Sequence, residues 1–279
     1  MAYIPIDIDE AVKKECRRRR LSPRTLQTYL FCIRRFLNWS RKELGHISKK
    51  DVKAFLVHLS EKDRAGSTLN VYHMALRFLF VDVLEKRMWI DIKYSKVPKR
   101  LPVVLTKEET KKLFAAVLND KHKLMIQLMY AAGLRVSELT NLKVGDLALD
   151  DGYGYVRRGK GAKDRRFIIS SLLKGRIKGV IREERLTEQS WLFTSVRKKR
   201  YDTNTVSTII KDAALRAGIK KNVHPHTLRH SFSTHLIESG RAVNEVQSLL
   251  GHKSPETTMI YIHQTAPTMI GISSPFDSL

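Results

Sequence analysis

Apolar residues recur at helical spacing through the first third of the chain. Leu26, Tyr29, Leu30, Ile33, Phe36 and Leu37 fall three or four positions apart behind Ser22-Pro23, a pair that suits an N-cap followed by the first helical position. Ser48 precedes a second run carrying Val52, Phe55, Leu56 and Leu59, and Gly66-Ser67 opens a third with Leu69, Tyr72, Leu76, Leu79, Phe80 and Val83. A shorter helix is expected around Val12, with the basic run Arg17 to Arg20. Four helices with short joints predict a compact N-terminal helical bundle over residues 1–92. The same spacing turns Cys16 and Cys32 inward as small apolar residues.

The period breaks at DIKYSKVPKRLPVV, residues 91–104. Pro98 and Pro102 cannot continue a helix, and each pushes its predecessor toward extended backbone. Lys93, Lys96, Lys99 and Arg100 make the stretch basic, so residues 93–104 read as an interdomain linker that follows a phosphate backbone, or more simply as a surface loop.

A second domain, residues 105–279, begins with the capping box Thr106-x-x-Glu109 ahead of Leu113 and Phe114. A helix from about Lys121 to Ala132 ends at Gly133. Tyr153 to Arg158 and Arg165 to Ile169, joined by Gly159-Lys160-Gly161, predict a β-hairpin. Helices are then expected over about 171–184, 203–217, 227–238, 243–250 and 255–262. The fold class is mainly α with one small β-sheet or hairpin.

Composition narrows the partners. With 52 Lys+Arg against 28 Asp+Glu the formal charge is +24, and half of that excess lies in residues 1–100, so it is not a charged tail. A folded chain this basic along its length calls for a polyanion, and duplex DNA fits. A solubilising surface or a contact with membrane lipid is the plainer explanation of charge alone. The longest apolar stretch, Leu124 to Leu134, contains Gln127 and falls short of a bilayer span. The acidic start MAYIPIDIDE lacks the order of a signal peptide, which predicts a cytoplasmic protein with no membrane partner. Two cysteines are too few for a disulfide scaffold or a Cys-rich zinc module.

The densest candidate chemistry is His224-Pro225-His226-Thr227-Leu228-Arg229-His230. Pro225 marks the entry to a helix, and His226 with Arg229 share a face near its N-terminus, where backbone N–H groups attract an anion. An imidazole and a guanidinium there clamp a phosphate. His226 and His230 also have metal-binding spacing, but neither a third ligand nor the glutamate of an HExxH motif accompanies them. His230 and His235 read as core residues. No compact Asp/Glu cluster suits a two-metal nuclease, and Asp146, Asp150 and Asp151 read as turn residues. Tyr261, about two turns into the helix expected after Leu250-Gly251-His252, would by itself be packing.

Taken together, Ala132-Gly133-Leu134-Arg135-Val136-Ser137-Glu138-Leu139, Gly159-Lys160-Gly161, His226-Thr227-Leu228-Arg229-His230, Leu250-Gly251-His252 and Tyr261 stand in the order typical of tyrosine recombinases. The chain resembles this phage integrase family over nearly its whole length, most of all the Xer recombinases of bacteria and archaea. The resemblance implies an N-terminal DNA-binding domain and an α-rich catalytic domain. It assigns Arg135 and Arg229 to the scissile phosphate, Lys160 to the acid that protonates the leaving 5′-oxygen, and Tyr261 to the nucleophile. Lys163 is the less suited of the two hairpin lysines. His226 is then a proton acceptor, His252 a donor to a nonbridging oxygen, and Glu138 a support for Arg135. The implied reaction cleaves and rejoins strands through a 3′-phosphotyrosyl bond with no cofactor and no metal. The implied partners are double-stranded DNA with paired half-sites and the chain itself, a dimer on one site and a tetramer in the synapse, with accessory proteins left open. The apolar tail, His263 to Leu279, is a candidate for subunit contact or a helix folded on its own domain. Resolution of chromosome or plasmid multimers is the expected role. A mobile-element integrase, a type IB topoisomerase, a non-catalytic DNA-binding factor and a metal-dependent nuclease are the alternatives.

Overall fold

A computed structural model of the chain describes residues 7–62, 64–86, 95, 102–157 and 164–251. The chain divides into two units, Met1–Lys99 and Arg100–Leu279.

The first unit is helical. α1 (Ile8–Arg18) is capped by Asp7, and α2 (Pro23–Ser40) by Ser22, whose hydroxyl accepts the Thr25 N–H at 3.1 Å while Pro23 takes the first helical position. Asp51 in the first turn of α3 (Lys49–Glu61) accepts from both the N–H and the hydroxyl of Ser48, each at 2.8 Å. α4 (Gly66–Arg77) runs into a π-helical turn, Phe78–Val83, in which Phe78, Leu79 and Phe80 are all buried. Their partners are the apolar stripes read above. Phe36 meets Phe55 edge-on at 5.2 Å and Phe80 at 6.0 Å, and Phe55 meets Tyr72 at 5.6 Å. Each fully buried aromatic of this kind contributes about 1.5–3 kcal/mol. Cys16 and Cys32 are buried and free, as expected. Of the expected linker, Ser95 is held by Asn70, which donates to its carbonyl at 3.1 Å and accepts its N–H at 2.8 Å. Residues 93, 94 and 96–101 lie outside the described residues.

The second unit is built around α6 (Asp120–Ala131), which buries Leu124, Met125, Ile126, Leu128 and Met129 and packs against α5 (Lys107–Ala115), α7 (Val136–Asn141), α8 (Ser171–Glu183) and α10 (Pro225–Glu238). The capping box of α5 is formed in both directions, Glu109 N–H to Thr106 at 3.1 Å and Thr106 N–H to the Glu109 carboxylate at 2.7 Å. α9 (Thr203–Arg216) and α11 (Val243–Leu250) complete the described helices, the latter with the bounds expected. β1 (Leu147–Ala148), β2 (Tyr153–Val156) and β3 (Arg165–Ile168) form an antiparallel sheet in that order, with Tyr153 opposite Ile168 and Val156 opposite Arg165.

Four sequence expectations change. α7 was not foreseen, and neither was β1. α10 begins at Pro225 and not at Thr227, because proline at the first position sets the helical φ. Asp146 is buried, and accepts the Arg157 guanidinium at 2.7 Å and the Lys143 N–H at 3.1 Å, more than an ordinary turn residue. The 159–161 turn and the helix expected at 255–262 lie outside the described residues, as does the tail His263 to Leu279. No described helix is long and apolar enough to cross a membrane.

Candidate active site

The end of α6 sets the first site residue. Gly133 has φ +57°, its N–H bonds to the Tyr130 carbonyl at 3.1 Å, and the Leu134 N–H bonds to the Met129 carbonyl at 3.0 Å. This left-handed helix stop turns the chain sharply into α7. A Cβ at Gly133 would stand 2.5 Å from the Phe232 ring, so the position requires glycine on both counts. Arg135 then becomes the N-cap residue of α7, and Glu138, in the first turn, reaches back to accept the Arg135 N–H at 2.9 Å.

Glu138 is the centre of the site. Its side chain is only 5% exposed. One oxygen accepts the Arg135 guanidinium at 2.6 Å, and the other accepts Arg165 at 2.7 Å. A third guanidinium, that of Arg229, stands 3.8 Å away. Burial raises the Glu138 carboxyl's pKa, but Arg165, the Arg135 N–H and the Arg135 guanidinium together hold it below the usual glutamate value. The carboxylate is therefore ionised, and three guanidiniums around one carboxylate leave the cluster with an excess of positive charge, a surrounding that suits an oxyanion.

The other ends of these arginines grip the main chain. Arg229, 3% exposed, donates to the Gly133 and Leu250 carbonyls, both at 2.6 Å. Arg165 donates to the Leu249 carbonyl at 2.6 Å, and its Nε–H has no hydrogen-bond partner among the described residues. Leu249 and Leu250 close α11, whose final carbonyls lack intrahelical donors and carry the negative end of the helix dipole. Burial lowers the Arg165 pKa and Glu138 opposes that, so the pair stabilises both charges.

At the start of α10, His226 is exposed and Arg229, three residues on, is buried. The His226 ring lies 6.1 Å from His224 and 6.3 Å from His230. Burial first, then His226, His224 and Arg229, push His230 down to about 4; burial and Lys211 lower His224. His230 is thus neutral at ordinary pH. His235 is a core residue as expected, bonded through Nδ1 to the Tyr130 hydroxyl at 2.8 Å. Among the described residues no group of three or more His, Cys, Asp or Glu is placed to hold a metal ion.

The fold thus brings together Arg135, Glu138 and Arg229, with His226 at the start of the helix that carries Arg229. Lys160, His252 and Tyr261 lie outside the described residues. Sequence reading missed Arg165. The period of two along β3 was the available signal, since Arg165 alternates with Arg166 and shares a face with the buried Phe167.

Residues 103–267 match the phage integrase family, and residues 9–90 match the phage integrase N-terminal SAM-like domain. The tyrosine recombinase XerA of Thermococcus kodakarensis is 39% identical over 253 residues, covering 88% of this chain and 86% of that protein. The crystal structure of a XerA recombinase aligns over 92% of this chain and 94% of its own, with TM-score 0.54 and 31% identity. The XerH site-specific recombinase bound to palindromic difH substrate shares the fold, with TM-score 0.74 over 96% of this chain and 85% of that one at 22% identity.

Proposed function

This chain belongs to the phage integrase family and is a tyrosine-type site-specific recombinase, and we propose on that footing that Tyr261 cuts DNA at a phosphate gripped by Arg135 and Arg229. The observation that carries the reading is the convergence of these two arginines on Glu138, with Arg229 also tied to the Gly133 carbonyl 96 residues away. A phosphodiester gains negative charge on its nonbridging oxygens as it is attacked, and fixed guanidiniums stabilise that charge without reorganising.

The Tyr261 oxygen forms a bond to phosphorus while the bond to the 5′-oxygen breaks. A phenol is largely protonated at neutral pH, so the nucleophile must lose its proton during attack; His226 accepts it. Lys160 supplies the proton that the departing 5′-oxygen needs, and His252 donates to a nonbridging oxygen. One ester replaces another, so a 5′-hydroxyl from a second strand reverses the step without a nucleotide cofactor or a metal. Residues 1–92 serve as the DNA-binding domain and 105–279 as the catalytic domain, joined by the basic stretch 93–104. By analogy with XerH on its palindromic site, the DNA carries paired half-sites, with two protomers on one site and four in the synapse. The biological role we infer is resolution of chromosome or plasmid multimers in the cytoplasm, supported by likeness to relatives named tyrosine recombinase XerA.

The test begins with selection of the preferred site from a pool of randomised duplexes. A nicked duplex carrying that site is then incubated with the protein in EDTA and analysed on a denaturing gel. A covalent adduct is expected from the wild type and none from Tyr261→Phe, with DNA retention unchanged. Attachment through Tyr155 or Tyr201 would refute the assignment. Resolution of a two-site plasmid, as opposed to simple relaxation, separates recombinase from topoisomerase.

A further inference from the structure

We propose that Arg165 is a positioning residue that fixes Arg135, Arg229's helix-end partner and the path toward His252 in one frame; this rests on the catalytic roles proposed above. Arg165 opens β3, the strand leaving the segment that carries Lys160, and lies opposite Val156. Its guanidinium spans two elements. One nitrogen donates to Glu138 at 2.7 Å on the oxygen that also takes the Arg135 N–H; the other donates to Leu249 at 2.6 Å. The neighbouring carbonyl, Leu250, is the one Arg229 holds. Two guanidiniums therefore grip successive carbonyls at the end of α11.

The next residue tightens the argument. Gly251 has φ +63°, and a Cβ there would stand 2.7 Å from the Arg165 Cδ. The chain thus turns against the Arg165 stem immediately before His252. β3, the carboxylate that orients Arg135, and the Gly251 turn at the end of α11 all meet at this one side chain. Its side chain is 10% exposed, so water does not substitute for it.

The charges facing Glu138 are Arg135 before α7, Arg165 on β3 and Arg229 on α10. Among the contributions that keep Glu138 ionised against burial, the charge of Arg165 comes first, followed by the backbone N–H, the charge and the side-chain hydrogen bond of Arg135. Replacing it with a neutral side chain therefore moves the Glu138 carboxyl upward, and proton uptake there releases Arg135.

Single-turnover adduct formation on the nicked duplex tests this, with Arg165→Gln and Arg165→Lys measured between about pH 6 and 9. Arg165→Gln is expected to melt cooperatively and retain DNA, yet to cleave about 100-fold more slowly, the effect of a small misplacement of reacting groups. The ratio of wild-type to Gln-variant rates is expected to widen toward acid pH. Arg165→Lys keeps the charge but cannot reach both partners, so its ratio stays level with pH at an intermediate rate. A folded Arg165→Gln that cleaves within about threefold of the wild type overturns the assignment, as does a pH-independent ratio shared by both variants. Should the Gln variant not fold, the lysine variant decides: a rate about tenfold lower supports the assignment, and the wild-type rate overturns it. If the wild type forms no adduct, the recombination mechanism itself fails; an adduct with unaffected variants removes only the role of Arg165.

Discussion

Glu138→Gln is the sharpest perturbation of this site. The amide matches the carboxylate in shape but cancels the one negative charge among guanidiniums that are 20%, 10% and 3% exposed. Leaving buried charge without its partner costs about 3–5 kcal/mol. For a unit of this size each kcal/mol moves the melting temperature by about 2–4 °C, so a loss of about 10 °C is expected. Calorimetry of the full chain reads it. Sulfate should raise the variant's melting temperature more than the wild type's when compared with chloride at equal ionic strength, because the uncompensated guanidinium charge attracts a divalent oxyanion to the Arg135 side of the cluster, its most exposed edge. Acid narrows the difference. The Glu138 pKa is depressed in the folded protein, so its contribution is complete above the ordinary value of about 4.3 and is lost as pH falls through the lower folded value. A variant that melts within about 2 °C of the wild type, with no sulfate response beyond that of the wild type, would refute the central role of this carboxylate.

Gly133→Ala combines left-handed backbone with a methyl 2.5 Å from Phe232, and about 3 kcal/mol of destabilisation is expected in urea titration. Phe232→Leu should recover part of that loss, since the two changes share one contact. Gly251→Ala should cost about 1–2 kcal/mol and slow adduct formation. Gly251→Asn, which tolerates the backbone angle but still meets Arg165, should stay slow, separating collision from conformation. His230, pushed from 6.5 down to about 4, makes the protein less stable as pH falls between those values, by about 3 kcal/mol in total, because the unfolded chain binds the proton first. His230→Gln should flatten the change in urea midpoint between about pH 7 and 5.

Local chemistry made much of the fold readable. Ser22-Pro23, the Thr106/Glu109 box and the apolar spacing in 243–250 each encode a helix end or face without help from distant residues. α7 escaped because six residues carry less than two turns of periodicity, and its N-cap position is filled by an arginine, a poor cap. β1 has two residues and exists only through pairing with β2. In the site, Arg135, Glu138 and Arg229 were singled out through the resemblance to tyrosine recombinases, and the fold places the three together. Arg165 was not, because its importance comes from contacts with Glu138 and Leu249, 27 and 84 residues away. A basic residue beside a basic turn otherwise looks like one more phosphate contact.

The grip of Arg229 on Gly133 and Leu250 has a consequence for synthesis. The Leu105 N–H similarly reaches the Ser231 hydroxyl across 126 residues. Contacts that close such long loops form late, after most of the chain entropy has been surrendered. A nascent polypeptide still short of Leu249 can bring Arg229 to the Gly133 carbonyl and Arg165 to Glu138, but it lacks the two α11 carbonyls that tie both arginines to one helix end. The double grip on the end of α11 is therefore among the last long-range contacts of this unit to become available as the chain is made.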